Sequence, residues 1–266
     1  MWLWLRRCRH GVHAMTKRRT LIHIVYAPVL VGNDGRTNAV VHGIERALPG
    51  VRLEWELSEE GRPIALRQRD GWLAEAAERG EFPLLCNGDE SYPVTVYGLR
   101  TSGRQAPGGQ PLLDVHAKLP LDAVGIAAAA DVLEGVAEGA RAFWGRVLPD
   151  VVAPEMAKQI RHSMDQPHVP PRGLPALNLP KYIRSPEIPH HLGWLNYWSA
   201  AAAQAIGFPD PARDADLLSR ARRTATGGWV VRLTETPLDL DNPAHLGTLL
   251  RAYERFPEIG GRLPPH

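Results

Sequence analysis

Asp114-Val-His116 is the pair of residues in this sequence best suited to chemistry. Positions i and i+2 of a strand share one face, so a carboxylate and an imidazole could converge there on a metal ion. Two ligands do not complete such a site, and no third can be placed along the chain. Hydrogen bonding between Asp114 and His116 on a sheet surface is the plainer use. A second group is acidic: Glu235, Asp239 and Asp241 lie within Thr234-Glu-Thr-Pro-Leu-Asp-Leu-Asp-Asn242. Close carboxylates can hold a hard cation or perform acid–base work. They can equally serve the next helix, with Asp241 or Asn242 as its cap and the negative charge set against its dipole. His190 and His191 are adjacent in a proline-rich stretch. Neighbours in an extended chain point opposite ways, so these two are not expected to chelate one metal. Cys86 closes the apolar run Phe82-Pro-Leu-Leu-Cys86 and reads as a core thiol, since no activating base accompanies it. No phosphate-binding loop, dinucleotide fingerprint, nucleophile elbow, zincin helix or CxxC pair occurs. Gly227-Gly228 and Gly260-Gly261 are expected to serve turns.

The elements that must position these groups alternate between strand and helix. Leu21-Ile-His-Ile-Val-Tyr26 is β-branched and aromatic and reads as a buried strand. A helix is expected over residues 37–48, stopped by Pro49-Gly50. Strict alternation predicts a half-buried strand over 51–57, and a helix is expected over 67–79. Strands are predicted near 82–87, 92–99 and 111–118, the last two joined by the Gly-rich loop 101–109. Strands in direct succession are usually antiparallel neighbours, which favours an α+β fold. Apolar spacing of three and four predicts the longest helix over 122–147, capped by Asp122 and carrying Phe143 and Val147 in its stripe. A shorter helix is expected over 154–164. Residues 166–191 hold seven prolines and predict an extended connection. Beyond it come a strand at 192–198, a helix at 199–206, a short helix near 214–222, a strand at 228–234 and a helix at 243–255. Asn242 and Pro243 start the last of these.

Composition narrows the class. With 44% hydrophobic residues in 266, the chain can bury a sizeable core. Two cysteines exclude a disulfide scaffold and point to a reducing compartment, so a cytoplasmic location is expected. No apolar run is long enough to span a bilayer, and the order of charges at the start is wrong for a secretory signal. Six of the 31 basic residues and none of the 29 acids fall in residues 1–20, so 25 bases face 29 acids in the remainder. The pI of 8.6 therefore belongs to the tail, and neither nucleic acid nor membrane is expected as a partner. Met15 stands just before Lys17-Arg18-Arg19 and is the expected true start. Eight tryptophans are many for this length. Most are expected in the core, with Trp194 and Trp198 as candidates for contact anchors at a protein interface.

Leu192-Gly-Trp-Leu-Asn-Tyr-Trp198, Gly228-Trp-Val-Val-Arg-Leu-Thr-Glu-Thr-Pro-Leu-Asp239 and Asn242-Pro-Ala-His-Leu246 resemble the immunity protein 52 family and related uncharacterised myxobacterial proteins. Gly109-Gln-Pro-Leu-Leu-Asp-Val-His-Ala117 and Ala140-Arg-Ala-Phe-Trp-Gly145 are similar to the myxobacterial set. The resemblance covers residues 20–262, and its motifs are structural. It implies an antitoxin-like protein that binds the toxin of a contact-dependent or type VI system, and it transfers no catalytic residue.

The expected organisation is a disordered basic tail over 1–19, an α+β half over 20–165, the proline-rich connection over 166–191 and a second α+β half over 192–262. These form one combined domain with a mainly antiparallel sheet packed against helices. The expected function is neutralisation of a cognate toxin by contact, with no cofactor and no catalysis. A basic nuclease is the toxin that an acidic body would match. The alternative is a metal-assisted enzyme built from Asp114, His116 and the acids of 235–241. The oligomeric state is left open.

Overall fold

The computed structural model describes residues 19–58, 60–161 and 167–262. The basic tail apart from Arg19, and the Met15 start, lie outside them. The α+β expectation holds: ten strands form one antiparallel sheet with helices on it. The strands are β1 (Thr20–Pro28), β2 (Trp55–Leu57), β3 (Pro63–Ala65), β4 (Leu85–Cys86), β5 (Thr95–Thr101), β6 (Leu112–Pro120), β7 (Trp144–Pro149), β8 (Leu195–Trp198), β9 (Ala221–Arg223) and β10 (Trp229–Arg232). Their order across the sheet is β3-β2-β4-β5-β6-β1-β7-β8-β10-β9. The apolar β1 thus sits near the middle, between β6 and β7.

On β1, Leu21, His23, Val25 and Ala27 point to one face, where α1 (Arg36–Ala47) and α3 (Ala123–Ala140) pack. His23 marks that face, its Nε2 lying 3.1 Å from the Ala129 carbonyl of α3. The two helices touch through glycine: a Cβ on Gly43 would stand 2.6 Å from the Gly135 carbonyl oxygen. A smaller helix, α2 (Arg69–Glu78), buries Leu73, Ala76 and Ala77.

The predicted helix over 122–147 is corrected. Asp122 caps α3 as expected, accepting from the Gly125 N–H at 2.8 Å, but the helix stops at Ala140. Arg141 turns left-handed at φ 52°, and Trp144–Pro149 becomes a strand beside β1. The second edge of β1 needs partners for its buried N–H and C=O groups, and β7 supplies them. Gly145 permits the close pairing, because a Cβ there would meet a Val25 methyl at 2.6 Å. The expected helix over 154–164 shortens to α4 (Ala153–Ala157).

The connection is well packed. Leu174, Leu177, Ile183 and Ile188 are buried, and Ile160 bridges Leu177 in parallel. The Gly108 N–H donates to Ile183 O at 2.8 Å and the Asn178 N–H to Gly260 O at 2.9 Å, which ties the segment to the β5–β6 turn and to the C-terminal turn. In the last third, α5 (Ala200–Ala205) is capped by Ser199, and α7 (Pro243–Arg255) by the Asn242 side chain. The stretch near 214–222 divides into α6 (Ala215–Leu218) and edge strand β9. Trp198, Phe208, Trp229 and Phe256 pack edge to face at 5.0–5.4 Å beneath α7. Among the described residues, no helix is long and apolar enough to cross a membrane.

Candidate functional site

Directly opposed residues of an antiparallel sheet point to the same side. Asp114, Tyr26 and Trp144 form one such row across β6, β1 and β7; His116, Ile24 and Arg146 form the next. Both rows face away from α1 and α3. The proline-rich connection covers this face and leaves a cavity of about 270 Å³. Its floor is Tyr26, Asp114, Trp144 and Arg146; its roof includes Ile160, Pro180, His190 and His191. Thr101 stands at the β5 side.

The polar atoms here are unusual in their lack of protein partners. Asp114 Oδ2 accepts from the Thr101 hydroxyl at 2.9 Å, but its Oδ1 is buried and unpartnered. The same holds for Nε and Nη1 of Arg146, the indole Nε1 of Trp144 and both ring nitrogens of His191. Trp144 is 1% exposed and His191 4%. Buried polar groups are nearly always satisfied, so this concentration in one cavity sets it apart. Tyr26 stacks on Trp144 with ring centroids 4.0 Å apart, which makes an aromatic wall.

Burial dominates the electrostatics. It raises the Asp114 carboxyl to about 6, opposed by the Thr101 hydrogen bond. Burial also lowers His116 to about 4, helped by Lys118 and Arg146. His190 falls to about 4 from burial, against its hydrogen bond to Asn178 O. His191 lies well below its ordinary value, through burial first and then its neighbours His190 and Arg146. The Tyr26 phenol is raised by burial and lies against the Arg146 guanidinium, which lowers it.

The structure redistributes the residues singled out from sequence. Asp114 and His116 do share a face, but Asp114 bonds to Thr101, and the His116 ring stacks flat on Tyr97 at 4.9 Å. His190 and His191 do not diverge: their rings meet edge to face at 4.1 Å and line the same cavity. The chain bends there instead of running extended. Trp194 and Trp198 are core rings, 1% and 0% exposed, so neither is a surface anchor; the Trp194 indole donates to Thr234 O at 2.8 Å. The acidic stretch lies elsewhere. Asp241 accepts from Arg172 at 2.7 Å, and Asp239 Oδ1 accepts from the Asp241 N–H at 2.9 Å, in a different cavity. Glu235 is exposed, 3.8 Å from Arg232, and lines a third. The joint site of Asp114, His116 and the 235–241 acids therefore does not form. Among the described residues, no group of three or more His, Cys, Asp or Glu is placed to hold a metal ion.

Arg146, Trp144, Tyr26 and Thr101 escaped the sequence reading. The available signal was the alternation of Trp144-Gly-Arg-Val-Leu-Pro149, which places Trp144 and Arg146 on one face once the segment is taken as a strand.

A family model described as "Domain of unknown function (DUF5953)" matches residues 32–264. No curated protein matches the chain. Among solved structures, the chain is similar in fold to the Pseudomonas aeruginosa T6SS protein PA0821. The TM-score is 0.55 at 15% identity, over 91% of this chain and 73% of the other.

Proposed function

The chain belongs to the DUF5953 family, and we propose that it acts as an immunity protein, binding a cognate bacterial toxin in the cytoplasm and neutralising it by protein–protein contact. The observation that carries this reading is the likeness of fold to the T6SS protein PA0821, extending over 91% of this chain. The resemblance of the segments around Trp194, Trp229 and Asn242 to immunity proteins supports it from the sequence side. Charge supports it as well. Beyond residue 20 acids outnumber bases, 29 to 25, and such a body suits a basic toxin such as a nuclease through steering and complementarity. The reading places no catalytic step in this chain. The metal-assisted alternative is not carried forward, because Asp114, Glu235 and the Asp239–Asp241 pair line three separate cavities and the His116 ring stacks on Tyr97.

Co-expression with each toxin gene encoded beside this one is the test. We expect one of them to be lethal alone and tolerated with this protein, and the purified pair to bind more weakly as salt rises. Absence of both rescue and binding for every neighbouring toxin would overturn the reading.

A further inference from the structure

The roofed cavity has a composition that protein–protein contact does not require. Arg146 forms no ion pair among the described residues, and two of its nitrogens are buried without partners. Buried guanidinium nitrogens left without an acceptor are unfavourable, so an anion that reaches them gains a charge-assisted hydrogen bond. The Trp144 N–H, on the same floor, is a second donor with nothing to donate to. Asp114 Oδ1 is the converse, an acceptor that lacks a donor. Asp114 and Arg146 do not satisfy each other, since no ion pair joins them. Leu112, Ile160, Pro180 and the stacked Tyr26–Trp144 pair give the cavity apolar walls, beside the polar Thr101, Gln105 and His190. At about 270 Å³ the space is near the lower end for small-molecule sites.

We propose that this cavity binds a small organic acid: a carboxylate for Arg146 and Trp144, an adjacent amine or hydroxyl for Asp114, and an apolar body of about one ring for the walls. His191, with both nitrogens free of protein partners, faces the same ligand as an additional donor or acceptor. The site is a binding site.

Four probes of one shape separate the contributions. Phenyllactate carries carboxylate and hydroxyl; L-phenylalanine carries carboxylate and ammonium; 3-phenylpropionate lacks the donor; phenylalaninamide lacks the carboxylate. Binding to the purified full chain is followed by ligand-observed NMR and by titration calorimetry. At least one of the first two should bind, and whichever binds better identifies hydroxyl or amine as the donor. At pH 7, 3-phenylpropionate and phenylalaninamide should each bind more weakly than the better of them by about tenfold or more, each for one charge-assisted hydrogen bond. Arg146→Met should weaken the better ligand by about tenfold or more, with Thr101→Val as the milder change should the first variant not fold. No binding of either carboxylate–donor probe at millimolar concentration overturns the proposal, as does equal binding of phenylalaninamide. Toxin is absent throughout, so the outcome is independent of the immunity reading.

Discussion

Asp214 is fully buried, and it is the centre of a network that ties the last helix to the segment between α5 and α6. Its two oxygens accept from Arg255 Nε and Nη2 at 2.6 and 2.9 Å, and one also accepts from the Asp210 N–H at 2.7 Å. Such a bidentate pair is favourable only while intact, since removing one partner leaves a charge poorly solvated. Asp214→Ala should therefore lower stability by about 3 kcal/mol in urea unfolding; a loss within the scatter of ordinary surface substitutions would show that Arg255 finds water instead. The comparison with Asp241 is instructive. Asp241 also meets an arginine, yet its side chain is 83% exposed, and exposed pairs are worth little. Both are acids in loop-like sequence, and nothing in the residue types distinguishes them. Only the surrounding burial does.

At the scale of elements, the contact between α1 and α3 depends on what is missing from three positions. Gly43 faces Gly135 backbone to backbone, and a Cβ on Gly139 would lie 2.6 Å from the Val40 nitrogen. Helix propensity favours alanine over glycine by about 1 kcal/mol, so propensity alone says Gly135→Ala stabilises. The packing says the reverse. A Cβ on Gly135 would meet the Gly43 carbonyl at 2.9 Å, where only movement of a whole helix can relieve it. We expect Gly135→Ala to cost about 1–3 kcal/mol by thermal or urea denaturation; a gain would mean the helices separate at little cost. Periodicity runs unbroken from Ile126 to Val147, and it misled because a strand with apolar alternation can also satisfy spacings of three and four. Where local signals were strong the elements came out as expected. α7 spans the predicted 243–255 with Asn242 accepting from Ala244 N at 2.9 Å, and β1 contains the predicted run.

Across the whole molecule, one sheet runs from β3 to β9 and crosses from the first half to the second at β7–β8. Histidines are buried on both faces of this sheet, His23 on one and His116, His190 and His191 on the other, which gives the fold a pH dependence of definite sign. Burial holds His23, His116 and His190 near 4 and His191 well below its ordinary range, against 6.5 in an unfolded chain. The unfolded chain then binds more protons as pH falls below 6.5, so each such histidine removes up to about 1.4 kcal/mol per pH unit down to about 4. Asp114, raised to about 6, works the other way over its own range and offsets roughly one of the four. Net stability should decline from pH 7 to pH 5. Urea midpoints at constant ionic strength would show this, and a flat or rising profile would mean that these rings reach water. By itself, the sequence determined the fold class, the paired faces of β6 and the capped helices, because periodicity, caps and turns act over a few residues. The cavity was decided by tertiary structure alone. Arg146 comes from the strand hidden at the end of a helical pattern, Asp114 from a hairpin, and His190 and His191 from a connection that reads as extended and instead bends and folds over the sheet. Those residues meet only because burying the second face of the sheet requires a cover, and no local signal encodes which segment provides it.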